Sequence, residues 1–113
     1  MSQSGKVLKE VGSVNVLSSS AEFLNGTTLG ALNLSNEVSL ITTTGSATAT
    51  LADGVAGQKK TIVVGTHGGN LVLTPATFAN GATLTFDAAL EYASLVFDPA
   101  VGWVSVGGTA TIA

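Results

Sequence analysis

The residues of this sequence that could carry metal, phosphate or nucleophilic chemistry are few. Its single histidine is His67, which is followed by Gly68-Gly69. A zinc site usually needs three or four histidine, cysteine or carboxylate ligands, and the chain has no second histidine and no cysteine. The stretch also lacks the Gly-Lys-Ser/Thr that closes a phosphate-binding loop. The two glycines are typical of a turn, so we interpret His67 as a surface residue at the tip of a hairpin.

Paired carboxylates are the next chemistry to consider, because two of them can hydrolyse a glycosidic bond. The candidates are Asp53, Asp87, Glu91 and Asp98, which all fall at predicted strand ends or loops, where solvation explains them. Asp53-Gly54 lacks the alternating oxygen ligands of a calcium loop. A small hydrolase is a third-ranked hypothesis, and it requires a pocket that collects at least two of these four carboxylates.

Nucleophilic catalysis has no signature in the sequence. No Gly-x-Ser-x-Gly elbow occurs, and one histidine would have to serve any triad. We therefore expect a protein that is not an enzyme, with no catalytic residue, no cofactor and no metal ligand. Trp103 has two interpretations, a buried anchor with its N–H bonded or an exposed platform that stacks on a sugar ring. The anchor is the favoured one.

Composition is the strongest constraint on the class of protein. Only 10% of the 113 residues are charged, against roughly 25% in an ordinary soluble domain, while 45% are hydrophobic and only 5% aromatic. The length fits one domain, and the high apolar content excludes a disordered chain. So few charges could hardly solvate the whole exterior of a monomer, which favours self-assembly.

The charge balance excludes two classes of partner. The chain has four lysines, no arginine and a formal net charge of −3. It cannot present the basic face that nucleic acid or anionic lipid requires. No apolar run has the length of a signal peptide core or a membrane helix, so we expect a soluble product of the cytoplasm that binds neither nucleic acid nor membrane.

Short strands separated by turn signals dominate the sequence after residue 35. The predicted strands are residues 38–43, 47–52, 61–65, 71–74, 83–87, 92–97 and 103–106. Turns rich in Gly, Asn, Asp and Pro separate them at spacings near ten residues. This rhythm predicts an all-β domain over residues 36–113, a compact antiparallel sandwich or barrel of short strands.

Alternation within the strands predicts which side chains face inward. Leu84 and Phe86 share the inner face of one strand, and the odd-numbered apolar residues from 93 to 97 share that of another. The continuous apolar run at residues 62–64 is typical of a strand that is covered on both sides. Cover on both faces in so small a chain favours a neighbouring subunit.

Residues 1–35 have a different pattern, and we leave two interpretations open for them. The first is an N-terminal arm that becomes ordered against another chain, and the second is one or two short strands. After Ser20 as an N-cap, residues 21–24 could also begin a short helix that Asn25-Gly26 would end.

A family resemblance begins near residue 39 and covers about two thirds of the chain. The phrases that carry it are Leu51-Ala52-Asp53-Gly54, Leu71-Val72-Leu73-Thr74-Pro75, Asn80-Gly81-Ala82-Thr83-Leu84-Thr85-Phe86 and Gly102-Trp103-Val104-Ser105-Val106. In this order they resemble small virion structural proteins of tailed bacteriophages, namely head decoration (cement) proteins and β-rich fibre modules.

The resemblance implies an assembly function without catalytic residues. It implies a homotrimer that binds the major capsid protein on the outer surface of the virion and stabilises the shell. The alternative it implies is a tail-fibre or tail-tip module that binds host glycans. An exposed Trp103 or Tyr92 beside carboxylates would favour this alternative.

Overall fold

The structure, a computed structural model described for residues 21–113, consists of β-strands joined by turns. The eight strands are β1 (Ala21–Ala31), β2 (Val38–Leu51), β3 (Lys59–His67), β4 (Leu71–Pro75), β5 (Leu84–Phe86), β6 (Tyr92–Asp98), β7 (Gly102–Gly108) and β8 (Thr111–Ile112). No helix occurs among these residues. The prediction of an all-β fold is confirmed.

The first four strands are joined by parallel ladders. β1 pairs with β2 along both of its halves. On its other side β2 pairs with β3 through its first half and with β4 through its second half, both in parallel. β3 and β4 therefore run in the same direction along one edge of β2. The expected hairpin at His67 is wrong, because the chain continues forward after this turn.

The last four strands are antiparallel and cover the edge formed by β3 and β4. β6 pairs with β3 and β7 with β6, while β5 pairs with β4 and β8 with β5. The sheet thus has a first wing in the order β1-β2-β3-β6-β7 and a second wing in the order β1-β2-β4-β5-β8, with β1 and β2 common to both. The two wings form one curled sheet, a half-barrel.

The expectation of a wholly antiparallel sheet is wrong for the ladders among β1 to β4. Parallel strands usually need a crossover of a dozen or more residues, so short connections favoured antiparallel pairs. Here the connections at residues 32–37 and 52–58 suffice, because each strand curls with the sheet and its end lies nearer to its start. The predicted turn at residues 44–46 is also absent, and residues 38–51 form one strand.

The boundary between the wings is a place of close backbone approach. A Cβ atom on Gly69 would lie 2.2 Å from the carbonyl carbon of Gly45, and one on Gly68 would lie 2.3 Å from the Thr43 oxygen. The buried Thr43 hydroxyl accepts hydrogen bonds from the N–H groups of Gly68 and Gly69 and donates to the Gly69 carbonyl. Glycine is therefore required at both positions, since any side chain would push this turn away from the backbone of β2.

The core lies on the concave face of the curled sheet and contains side chains from both wings. The predicted inner residues Leu84 and Phe86 are buried, as are the odd-numbered residues 93 to 97 of β6. The other large buried side chains are Ile41, Leu51, Ile62, Val64, Leu71 and Leu73. Buried and accessible residues alternate along β2, except at residues 44–46, and along β3 as far as Val64, which leaves the opposite face outside this core.

Trp103 is the largest side chain of the core, with 0% of its surface exposed. Its indole N–H donates to the Ala52 carbonyl at 2.9 Å, and its ring meets Phe97 edge to face at a centroid distance of 5.2 Å. The anchor interpretation of Trp103 is confirmed, and the exposed platform is wrong for this residue.

The segment before residue 36 contains a strand of the sheet. Residues 21–24 begin β1, so the predicted helical turn after Ser20 is wrong. Of the predicted N-terminal arm, residues 1–20 lie outside the described residues.

Candidate functional site

His67 lies at the end of β3 and does not meet other metal-ligating groups. Its ring Nε2 is 3.1 Å from Oδ1 of Asn70, within the turn that follows. In the described part of the chain, no group of three or more histidine, cysteine or carboxylate residues could hold a metal ion. His67 is half-buried rather than fully exposed.

The four candidate carboxylates lie at the surface, in loops and at a strand end, and at least two of them bond to nearby backbone. Glu91 accepts a hydrogen bond from the N–H of Asp87, and Asp98 accepts one from Ala100. Asp53, Asp87 and Asp98 are exposed and Glu91 is half-buried. None of the four lines either of the two grooves described below.

A different ionisable group, Lys60, is completely buried on the concave face. Its ammonium nitrogen donates to the carbonyl oxygens of Asn33 and Asn36, each at 2.7 Å, and lies 3.7 Å from Oε2 of Glu22. The same Glu22 oxygen accepts hydrogen bonds from the Asn33 N–H and the Ser39 hydroxyl. We call these residues the Lys60 cluster.

The Lys60 cluster fixes the short connection between β1 and β2. The connection passes over the ammonium group, which donates hydrogen bonds to the carbonyls of Asn33 and Asn36, two residues that lie between the strands. Gln58 adds a bond from its side-chain amide to the Leu34 carbonyl, which ties the second connection to the first. Burial lowers the pKa of Lys60, while the charge and hydrogen bond of Glu22 oppose that shift. With every donor directed at structural partners, the cluster serves the fold.

The strongest candidate for a functional surface is the convex face of the first wing. Phe23, Leu40, Val63 and Tyr92 are successive register partners across β1, β2, β3 and β6. Phe23 is 76% exposed and Tyr92 40% exposed. Together with Val38, Val96 and Val104 on the same side of their strands, they form what we call the apolar face.

Charge is nearly absent from the apolar face. Within its strands, the charged residues that alternate onto this side are Lys59, at the margin beside Val96, and Asp98, at the end of β6. Val106, in the bulged part of β7, is a further apolar side chain that is 61% exposed. Exposed apolar side chains scattered singly need no explanation, but a contiguous row across four strands is a candidate interaction site.

A groove of about 280 Å³ lies in the apolar face beside Phe23. Leu40, Thr42, Gly65 and Thr66 line it together with Phe23. It is open because Gly65 projects no side chain, and a Cβ atom there would meet nothing within 4 Å. A protruding phenyl ring therefore stands next to a hollow on the same surface.

The convex face of the second wing is chemically different. Its register-matched row is Thr28, Thr48, Val72, Thr85 and Thr111, five strands wide. A second groove of about 490 Å³ lies at the end of this wing, lined by Ala31, Thr50, Leu51, Ala52, Thr74, Pro75 and Ala76. We call this side the threonine face. Its hydroxyl groups can bond to water, so it suits an exposed exterior as the apolar face does not.

Comparison with known proteins identifies no family for this chain. No protein-family model matches the chain, and the search of curated proteins found no significant match. Among residues 21–113 there is also no helix with the length and apolar character needed to cross a membrane.

Sequence reasoning predicted one part of the apolar face, the outer side of the strand at residues 62–64, but neither the rest of its side chains nor their alignment. The run at residues 62–64 indicated cover on both sides of one strand, and Val63 does face outward there. The contribution of Phe23 was missed, because residues 21–24 were interpreted as a helical turn or an arm.

Proposed function

We propose that this protein is a non-enzymatic structural component of a virion, a decoration protein that binds the outer capsid surface as a homotrimer and stabilises the shell. It is made in the host cytoplasm, and its partners are its own copies and the major capsid protein. The observation that carries the proposal is the apolar face, a contiguous surface with charge only at its margin, on a chain in which only 10% of the residues are charged.

Exposure of the apolar face to water costs free energy. Each square ångström of apolar surface removed from water is worth about 25 cal/mol, so a face of this size strongly favours association. The likeness of residues 39–113 to virion proteins of tailed phages supplies the kind of assembly. A net charge of −3 without arginine fits the outside of a capsid better than contact with packaged DNA.

The experiment measures assembly and capsid binding separately. Purified protein is expected to sediment near three times its chain mass of 11.2 kDa. It is also expected to co-sediment with expanded, empty capsids built from the major capsid protein of the same virus. A monomer at micromolar concentration that leaves such capsids unbound would refute the proposal.

A second function, binding of host glycans by a fibre or tail-tip module, is favoured by one observation. Two exposed aromatic side chains, Phe23 and Tyr92, lie in one row on the convex face of the first wing, and sugar rings stack on such side chains. Binding on a glycan array that Tyr92→Ala abolishes would support this function. Loss of Trp103 would not be informative, because that residue is buried.

A further inference from the structure

The apolar face has the features of a surface that is complementary to itself. Its central row carries no charge, so two copies can approach without repulsion between like groups. It contains both a projecting residue, Phe23, and a hollow beside Gly65. A projection and a hollow on one surface allow the first on one copy to fill the second on another.

The size of the face is compatible with a stable contact. Five strands at about 4.8 Å spacing and seven residues at about 3.3 Å rise give a plan area of roughly 550 Å². In a ring of three copies each face is shared between two neighbours, so the three contacts together cover roughly 1,650 Å², above the ~1,000 Å² that a specific association needs. The pleat and the projecting Phe23 increase the true accessible area.

The threonine face shows which side stays in water. It lies on the other wing of the same sheet, and hydroxyl groups replace the exposed aromatic and aliphatic side chains there. A chain that associated without preference would not need two convex faces of such different chemistry. The difference indicates an assembly with the first wing inside and the second wing outside.

We infer that copies of this chain meet through the apolar face, with Phe23 of one copy seated in the groove beside Gly65 of the next. This inference deepens the proposed function and rests on its self-assembly. Each copy then gives its Phe23 to one neighbour and its groove to the other, which is a heterologous contact, and such a contact closes into a ring when the rotations between copies complete one full turn. Three copies around an axis satisfy that requirement with all three Phe23 side chains buried.

Two substitutions test the contact from opposite sides. Phe23→Thr removes the projection while keeping a residue suited to a strand, and Gly65→Leu fills the hollow from a position where an added Cβ atom meets nothing within 4 Å. Each is expected to raise the dissociation constant of the assembly about 30-fold or more, the size of an interface hot spot. Val101→Thr is the matched control, since Val101 is an exposed apolar residue away from the face. Sedimentation velocity over a dilution series measures all four proteins.

Cross-linking tests the geometry directly, because the natural chain has no cysteine. Phe23 and Gly65 lie on strands separated by β2, so their Cα atoms within one copy are roughly 10 Å apart or more, beyond the reach of a disulfide. Oxidised Phe23→Cys/Gly65→Cys is therefore expected to give covalent species of two and three chains on a non-reducing gel. The control pair Val55→Cys/Gly65→Cys, with Val55 exposed off the face, is expected to remain single chains.

The outcomes separate this inference from the proposed function. A trimer that persists in Phe23→Thr and Gly65→Leu, without cross-links in the double cysteine variant, would overturn the inference while leaving a trimeric decoration protein in place. A monomeric wild type would mean that residues 1–20 or another protein covers the face, and would also overturn it. Dissociated variants that lose capsid binding would support both ideas, whereas a disrupted trimer in a protein that never binds capsids would support the inference alone.

Discussion

Replacement of Lys60 by methionine is the sharpest test of how this sheet is held together. Methionine keeps most of the side-chain volume and removes the ammonium group. The variant loses two 2.7 Å hydrogen bonds to the carbonyls of Asn33 and Asn36 and the cation beside Glu22. A hydrogen bond from a charged donor is worth about 1.5–3 kcal/mol, so the two give about 3–6 kcal/mol.

Two further effects adjust that figure. Burying a methionine avoids the desolvation cost of an ammonium group, so the net loss of stability is smaller. Glu22, 15% exposed, loses its cation but keeps the hydrogen bonds from Asn33 and Ser39. We expect Lys60→Met to lower the free energy of unfolding by about 3–5 kcal/mol, the range for breaking a buried pair.

Urea unfolding followed by the fluorescence of Trp103, the only tryptophan in the chain, measures this loss at fixed protein concentration. The control is Lys59→Met on the exposed side of the same strand, which should change stability by at most about 0.5 kcal/mol. A cycle with Glu22→Gln should give a coupling of at least about 1 kcal/mol. A loss below about 1 kcal/mol in Lys60→Met would show that the cluster is not what holds the first connection in place.

Three further predictions concern pH, the core and the boundary between the wings. Because burial lowers the pKa of Lys60 below its ordinary 10.5, the folded protein releases this proton before the unfolded chain does, and stability relative to Lys60→Met should rise as the pH rises from the folded-state pKa toward 10.5; a flat difference would contradict this. Trp103→Phe should cost about 2–4 kcal/mol in urea unfolding, since it opens a cavity and leaves the Ala52 carbonyl unpaired, and an unchanged midpoint would disprove the anchor. Gly69→Ala should cost about 2–3 kcal/mol because its Cβ meets the Gly45 backbone, whereas Gly65→Ala should change little, and equal losses would refute the close approach.

Most strands of the sheet could be predicted from the sequence, because their alternation is strong. The predicted strand at residues 92–97 lies within β6, and the one at residues 71–74 lies within β4. Buried residues follow the same period of two, which depends only on local geometry. Inward residues were therefore predictable without knowing which strands pair.

Strand β1 could not be predicted, because its glycines have two meanings. Asn25-Gly26 is a turn signal, but here Gly26 and Gly30 take positive φ values of 132° and 70° near register shifts within β1. A bulge uses the same conformational freedom as a turn while the strand continues. Only the ladder to β2 decides between them, and that ladder joins residues 17 or more positions apart.

The apolar face depends on register, which the sequence does not display. Phe23, Leu40, Val63 and Tyr92 are spaced irregularly along the chain, and only pairing across four strands brings them into one row. The sequence contains no catalytic signature, and that the protein is not an enzyme remains a prediction. Composition suggested that some surface must be covered, and the pairing identifies which one.

The parallel ladder between β1 and β2 has a mechanical consequence. A pull on the chain at Ala21, directed along β1, would load the hydrogen bonds of this ladder in shear, so that many must rupture together. The two-residue β8 at the other terminus would instead peel away one bond at a time. A tether acting through the amino-terminal side would therefore resist far more tension than one acting through the carboxyl end.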